Sequence, residues 1–114
     1  MPNEQPIPAV IDPLQLSRSI GDDYNNRSLA QLNDHEVRMS VMTSPYVWHY
    51  HPDSDETFLV VAGELLIEFY DGSVTLRAGQ LLTIPKGMPH RTQPIGERSV
   101  NLTIEKTGAQ TIFK

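Results

Sequence analysis

Apolar and polar positions change their period once along this chain. Near the start, Leu16 and Ile20 share one face of a helical repeat. Asp12 stands as N-cap, Pro13 at the first helical position and Gln15 where it can return the capping bond, with Gly21 able to end the turn. This pattern predicts a short helix of two turns. Asp22 to Asn26 reads as polar loop, and from residue 27 onward the period is two. Arg27 to Leu32 and His35 to Met42 read as strands joined at Asn33-Asp34, and Val37, Met39 and Val41 alternate with Glu36, Arg38 and Ser40. Glu56 to Ala62 is apolar on both faces, Phe58 and Val60 on one and Leu59 and Val61 on the other, so both should be covered. After Gly63 the alternation resumes at Leu65, Ile67 and Phe69, with Asp71-Gly72 as a hairpin turn into Ser73 to Leu76. Gln80 to Ile84 and Ser99 to Glu105 are the remaining strands. Many short strands between turn residues, with almost no helix, predict an all-β sandwich or small barrel. The expected divisions are an arm and short helix over 1–26, one barrel domain over 27–106, and a C-terminal tail over 107–114.

With 114 residues, one hydrophobic core is expected. Nine Lys and Arg against 14 Asp and Glu leave a net charge of -5, and the cations are scattered, which argues against nucleic acid as a partner. No apolar run approaches a membrane span and the start lacks the features of a signal peptide, so the expectation is a cytoplasmic protein with no membrane partner. There is no cysteine, which removes disulfides, thiolate nucleophiles and cysteine-based zinc sites together. Any metal must be held by nitrogen and oxygen ligands.

One stretch offers them. In Trp48-His49-Tyr50-His51-Pro52-Asp53-Ser54-Asp55-Glu56 the two histidines are spaced i, i+2, so on a strand both imidazoles point to one face. Glu56 follows a turn, and a rigid loop, Pro85-Lys86-Gly87-Met88-Pro89, delivers His90. Three neutral nitrogens and a carboxylate suit a divalent transition metal such as iron, manganese, nickel or zinc. The competing reading, four unrelated polar residues, is an even match for a lone His-x-His but is weakened by the carboxylate and the loop histidine.

These residues resemble the cupin superfamily. His49-x-His51-x4-Glu56-x6-Gly63 is similar to its first motif, G-x5-H-x-H-x3,4-E-x6-G, with Thr43 standing where the leading glycine belongs. Gly79-x5-Pro85-x-Gly87-x2-His90 is similar to the second, G-x5-P-x-G-x2-H-x3-N, with Pro94 in place of the asparagine. The resemblance spans residues 40 to 105 and, within the superfamily, points to the small stand-alone proteins termed mannose-6-phosphate isomerase-like. It implies a double-stranded β-helix of jelly-roll type, with His49, His51, Glu56 and His90 binding one metal in the barrel mouth. Cupins include dioxygenases, isomerases, decarboxylases, hydrolases, storage proteins and regulatory domains, so the fold leaves the function open.

Around such a metal, Phe58 shares the face of Glu56 and Met88 lies two residues before His90, so either is a candidate pocket wall or plain core. Arg38 lies on the polar face of its strand. It is exposed if that face meets solvent and a holder of a substrate carboxylate if it faces the barrel. Trp48 and Tyr50 point away from the histidines, toward sheet packing or a subunit contact, and His35 reads as an exposed strand-end residue. Three functions remain open: a metal-dependent oxygenase or isomerase acting on a small molecule, a non-catalytic metal or small-ligand sensor, and a structural scaffold. The two-faced strand at 56–62 and the arm carrying Pro2, Pro6, Pro8 and Pro13 suggest a homodimer.

Overall fold

The computed structural model describes residues 6–114; the first five residues of the proline-rich arm lie outside the described residues. A helix of five residues, α1 (Pro13–Ser17), is capped as expected, the Asp12 carboxylate accepting from the Gln15 N–H at 3.1 Å. It is shorter than two turns, and Ser17 and Ile20, rather than Leu16, face inward. Eight antiparallel strands follow: β1 (Tyr24–Leu32), β2 (His35–Met42), β3 (Tyr46–Tyr50), β4 (Glu56–Phe69), β5 (Gly72–Arg77), β6 (Leu81–Ile84), β7 (His90–Lys106) and β8 (Ile112–Phe113). β1 opens inside the stretch expected to be loop. The β1–β2 hairpin turns at Asn33, whose φ of 54° is the left-handed conformation that an asparagine tolerates. The β4–β5 turn occupies Tyr70-Asp71, one residue earlier than its Asp-Gly signal, because Phe69 pairs with Gly72.

Two long strands organise the barrel. The first half of β4 (Thr57–Ala62) pairs with the second half of β7, while Glu64–Glu68 pairs with the first half, Arg91–Ile95. Both strands bend together. β4 shifts register on either side of Ala62, and Gly63, far from ending the strand, is the residue at which it turns, with φ of 77°. One layer therefore reads β1-β2-β7-β4-β6 and the other β5-β4-β7-β3-β8, the bent strands running through both. β7 starts at His90 where a strand was expected only from Ser99, and it is continuous through Pro94 and Gly96. β3 pairs with β7 only as far as Thr92, so the missing N–H of Pro94 disturbs no ladder on that side.

Packing divides the interior. Met42, Phe58, Val60, Leu65, Ile67, Leu76 and Ile84 fill the barrel. A second cluster, Ile20, Met39, Val41 and Val100, lies on the outer face of β2 and β7, under the segment that follows α1. Arg98 holds that segment, its guanidinium donating to the carbonyls of Ser17 and Ile20. Because Met39 and Val41 pack outward, their alternating neighbours Glu36, Arg38 and Ser40 point into the barrel, as do Thr103 and Glu105 of β7. The polar face of β2 is thus the inner one, and Arg38 lines the cavity. Leu59 and Val61 on the outer face of β4 are half-buried, Val61 against the chain's own second cluster.

Candidate metal centre

The four candidate ligands come from three elements that the β4–β7 bend brings to one end of the barrel. His49 lies on β3 directly opposite His90, the first residue of β7, and their rings are 4.3 Å apart. His51 follows β3 and Glu56 opens β4. The loop between β6 and β7 is tied to the same place: the Gly87 N–H donates to the His51 carbonyl at 2.8 Å, and the Asp55 carboxylate accepts from the Lys86 N–H at 2.8 Å. All four residues are buried, and one ligand atom from each lies within 4.8 Å of the others.

Each imidazole has its Nδ1 beside a backbone carbonyl: His49 with Val47 at 2.8 Å, His51 with Gln110 at 2.8 Å and His90 with Met88 at 2.9 Å. A carbonyl only accepts, so each Nδ1 carries the proton and Nε2 is the atom left to bind. The Nε2 atoms of His51 and His90 each lie 3.4 Å from Glu56 Oε1, and all three atoms are buried without a satisfactory hydrogen bond. Such unpartnered polar atoms are costly unless something else satisfies them, and a divalent cation at their centre does so. The donor set and the orphaned atoms therefore fit a transition metal.

The electrostatics of the four side chains agree. Burial pushes the His49 imidazolium down to about 4, so this ring stays neutral. Burial also opposes charge on His51 and Glu56, yet their mutual contact outweighs it. His51 is pushed up to about 9 and Glu56, beside both His51 and His90, down to about 2. The pair holds a proton in the place where a cation would compete for it.

Beside the cluster is a cavity of about 360 Å³. Arg38 and Phe58 line it; Met88 does not, lying 43% exposed in a separate shallow depression with Tyr70 and Pro85. Met88 stands on the outer side because its loop carries the backbone, not the side chain, toward the site. Arg38 donates from Nε to Asn26 Oδ1 at 2.6 Å and from an Nη to Glu36 Oε1 at 3.0 Å, so its guanidinium is fixed and its charge balanced. Trp48 packs on Tyr70 with the Arg91 guanidinium 5.4 Å from its ring centre, outside the cavity, as its position in β3 predicts. His35 pairs with Asp34 and is not among the residues that line the cavity.

Three groups in the cavity were not singled out in the sequence. Glu105 contacts Glu56, and burial, with the Glu56 charge beside it, pushes its carboxyl up to about 7. Tyr24 stacks on Tyr46 at 4.9 Å, and burial drives the Tyr24 hydroxyl up to about 12, so it stays protonated. Thr111, Gly108 and Ala109 of the C-terminal segment close one wall. Glu105 alternates with Ile104 as Arg38 does with Met39, which puts it on a polar row without deciding which way that row faces.

The Cupin domain family matches residues 35–104. The uncharacterized protein YdbB of Bacillus subtilis (strain 168) is 45% identical over 101 residues, 88% of this chain and 88% of that protein. A cupin-2 domain containing protein from Shewanella frigidimarina superposes with a TM-score of 0.80 at 33% identity, covering 86% of this chain and 95% of that one. An oxalate decarboxylase, OxdC of Bacillus subtilis, superposes with a TM-score of 0.64 at 19% identity over 71% of this chain and 24% of that one, a likeness of fold. The architecture is the double-stranded β-helix, and none of the described helices is long and apolar enough to cross a membrane.

Proposed function

The chain belongs to the cupin family, and on that premise we propose that it is a metal-dependent enzyme acting on a small organic molecule bound in the barrel mouth. The carrying observation is the convergence of three buried, unpartnered ligand atoms, His51 Nε2, His90 Nε2 and Glu56 Oε1, beside a cavity of about 360 Å³. His49, His51 and His90 hold the metal through Nε2 and Glu56 through a carboxylate oxygen. A bound iron, manganese, nickel or zinc ion supplies Lewis-acid chemistry, and the redox-active ones dioxygen chemistry as well.

The chain's own groups supply the rest. Arg38, pinned by Asn26 and Glu36, presents a fixed cationic edge to a polar group of the substrate. Phe58 and Met42 form an apolar side of the cavity, against which a hydrocarbon part of the substrate packs. Glu105, beside Glu56, is placed to hold a proton at its carboxyl and pass it to a substrate on the metal side.

The test is elemental analysis of protein purified without a histidine tag or added metal, wild type against His51→Ala. Near-stoichiometric metal, absent from the variant, is expected, followed by turnover in a screen of small organic acids and sugars. Metal without turnover would reduce the protein to a metal or small-ligand binding module. Wild type that neither carries metal nor takes it up anaerobically from iron, manganese, nickel and zinc would overturn the reading.

The protein is also inferred to act as a homodimer. On the outer face of the first layer Leu81, Leu59 and Leu102 stand directly opposite one another on neighbouring strands, with Leu81 64% exposed and Ile104 38% exposed nearby. Light scattering on the eluting protein should give twice the mass of one chain, 12.8 kDa.

A further inference from the structure

His51 differs from the other two histidine ligands in what orients it. His49 and His90 each give their Nδ1 proton to a carbonyl two residues back in their own segment, so the strand or loop that carries the ring also sets its tautomer. The His51 partner is the carbonyl of Gln110, 59 residues away, with the Thr111 hydroxyl 3.4 Å from the same nitrogen.

The segment that provides this carbonyl is tied down around the site. The Gln110 N–H donates to both oxygens of Asp53, at 3.0 and 3.3 Å. β8 pairs with the outer edge of β3, Phe113 opposite His49 and Ile112 opposite Tyr50. The Lys114 N–H donates to the Trp48 carbonyl at 3.0 Å. Ile112 and Phe113 remain exposed, so the segment contributes little to the core. Its contacts are instead with the strand that carries His49 and with His51 and Asp53, which follow it.

We infer that residues 107–114 are a positioning element for the metal centre. Gln110 holds His51 in the tautomer that leaves Nε2 free, and Asp53 clamps Gln110 in place. This rests on reading the four residues as a metal centre. The outer partners of ligating imidazoles typically contribute about 10- to 100-fold in metal affinity. Asp53 acts one bond further out, so its removal should fall near the tenfold end.

The experiment uses the full chain and cobalt(II) alone as probe, with affinity measured by competition against a chromophoric chelator and the ligand field by visible absorption. Asp53→Ala should weaken cobalt binding about tenfold and shift the absorption bands. Asp53→Asn, which keeps an acceptor for the Gln110 N–H, should recover most of the affinity. Gln110→Pro removes the same N–H from the other side. If both variants act through the one bond, the double variant should bind little worse than either single one. Asp53→Ala with wild-type affinity and spectrum, or additive losses in the double variant, would overturn the inference. Wild type that takes up no cobalt would instead overturn the metal reading, a separate result.

Discussion

Gly63 is where the bend in β4 meets the bend in β7, and replacing it with alanine tests that geometry. A Cβ at this position would lie 2.3 Å from the Arg98 carbonyl oxygen and 3.2 Å from the Ser99 Cα, both backbone atoms that cannot swing away. Two contributions follow. A side chain at a φ of 77° destabilises by about 1–2 kcal/mol. Forcing apart two packed strands adds about 1–3 kcal/mol, for a sum of about 2–5 kcal/mol. A domain of this size loses roughly 3–6 °C of melting temperature per kcal/mol, so Gly63→Ala should melt about 6–30 °C lower in chelator-treated protein followed by circular dichroism. Gly79→Ala is the control, because Gly79 has a similar φ of 86° and no atom within 4 Å of a built Cβ. It should show only the conformational part. If the two variants melt within a degree or two of each other, the close approach of β4 and β7 at Gly63 is not as described.

Metal-free protein should be most stable between about pH 4.5 and 6.5. Toward acid, the unfolded chain protonates Glu56 below 4.5 and His49 below 6.5, while the native state refuses those protons until about 2 and 4, so stability rises with pH across these intervals. Toward base, native Glu105 and His51 keep protons up to about 7 and 9 that the unfolded chain releases from 4.5 and 6.5, so stability falls. Melting temperatures in chelator that climb steadily to pH 9 would contradict this. Arg98→Ala, which removes the donor to the Ser17 and Ile20 carbonyls, should lower stability by about 1.5–3 kcal/mol and speed proteolysis near α1 without changing metal content. His35→Ala should change stability by less than about 0.5 kcal/mol and leave metal content intact, as titration and elemental analysis can check.

Local chemistry made much of this protein readable from its residues. The strands of the barrel follow from a period of two that needs only neighbours in sequence, and the Asp12 cap and Asn33 turn follow from side chains that satisfy or permit their own backbone. The four ligand candidates were legible for a related reason. Spacing along a strand sets which side chains share a face, and a loop with two prolines limits where His90 can go. Which face of β2 looks inward was not settled by alternation, because an apolar row can be buried on either side of a sheet. Only the docking of Ile20 over Met39 and Val41 turned Arg38 and Glu36 toward the site. The length of β7 escaped notice because Pro94 and Gly96 are local breakers, and their tolerance depends on where β3 stops.

The residues that complete the site are the least local of all. Glu105 meets Glu56, Gln110 meets His51 and Asp53 meets Gln110 across about fifty residues of chain or more, and no spacing rule operates over that distance. The sequence by itself determined the strand periodicity, the donor types and their shared face. The tertiary structure alone decided which polar row lines the cavity and which backbone carbonyl orients His51, because both depend on chain segments meeting after the two long strands bend.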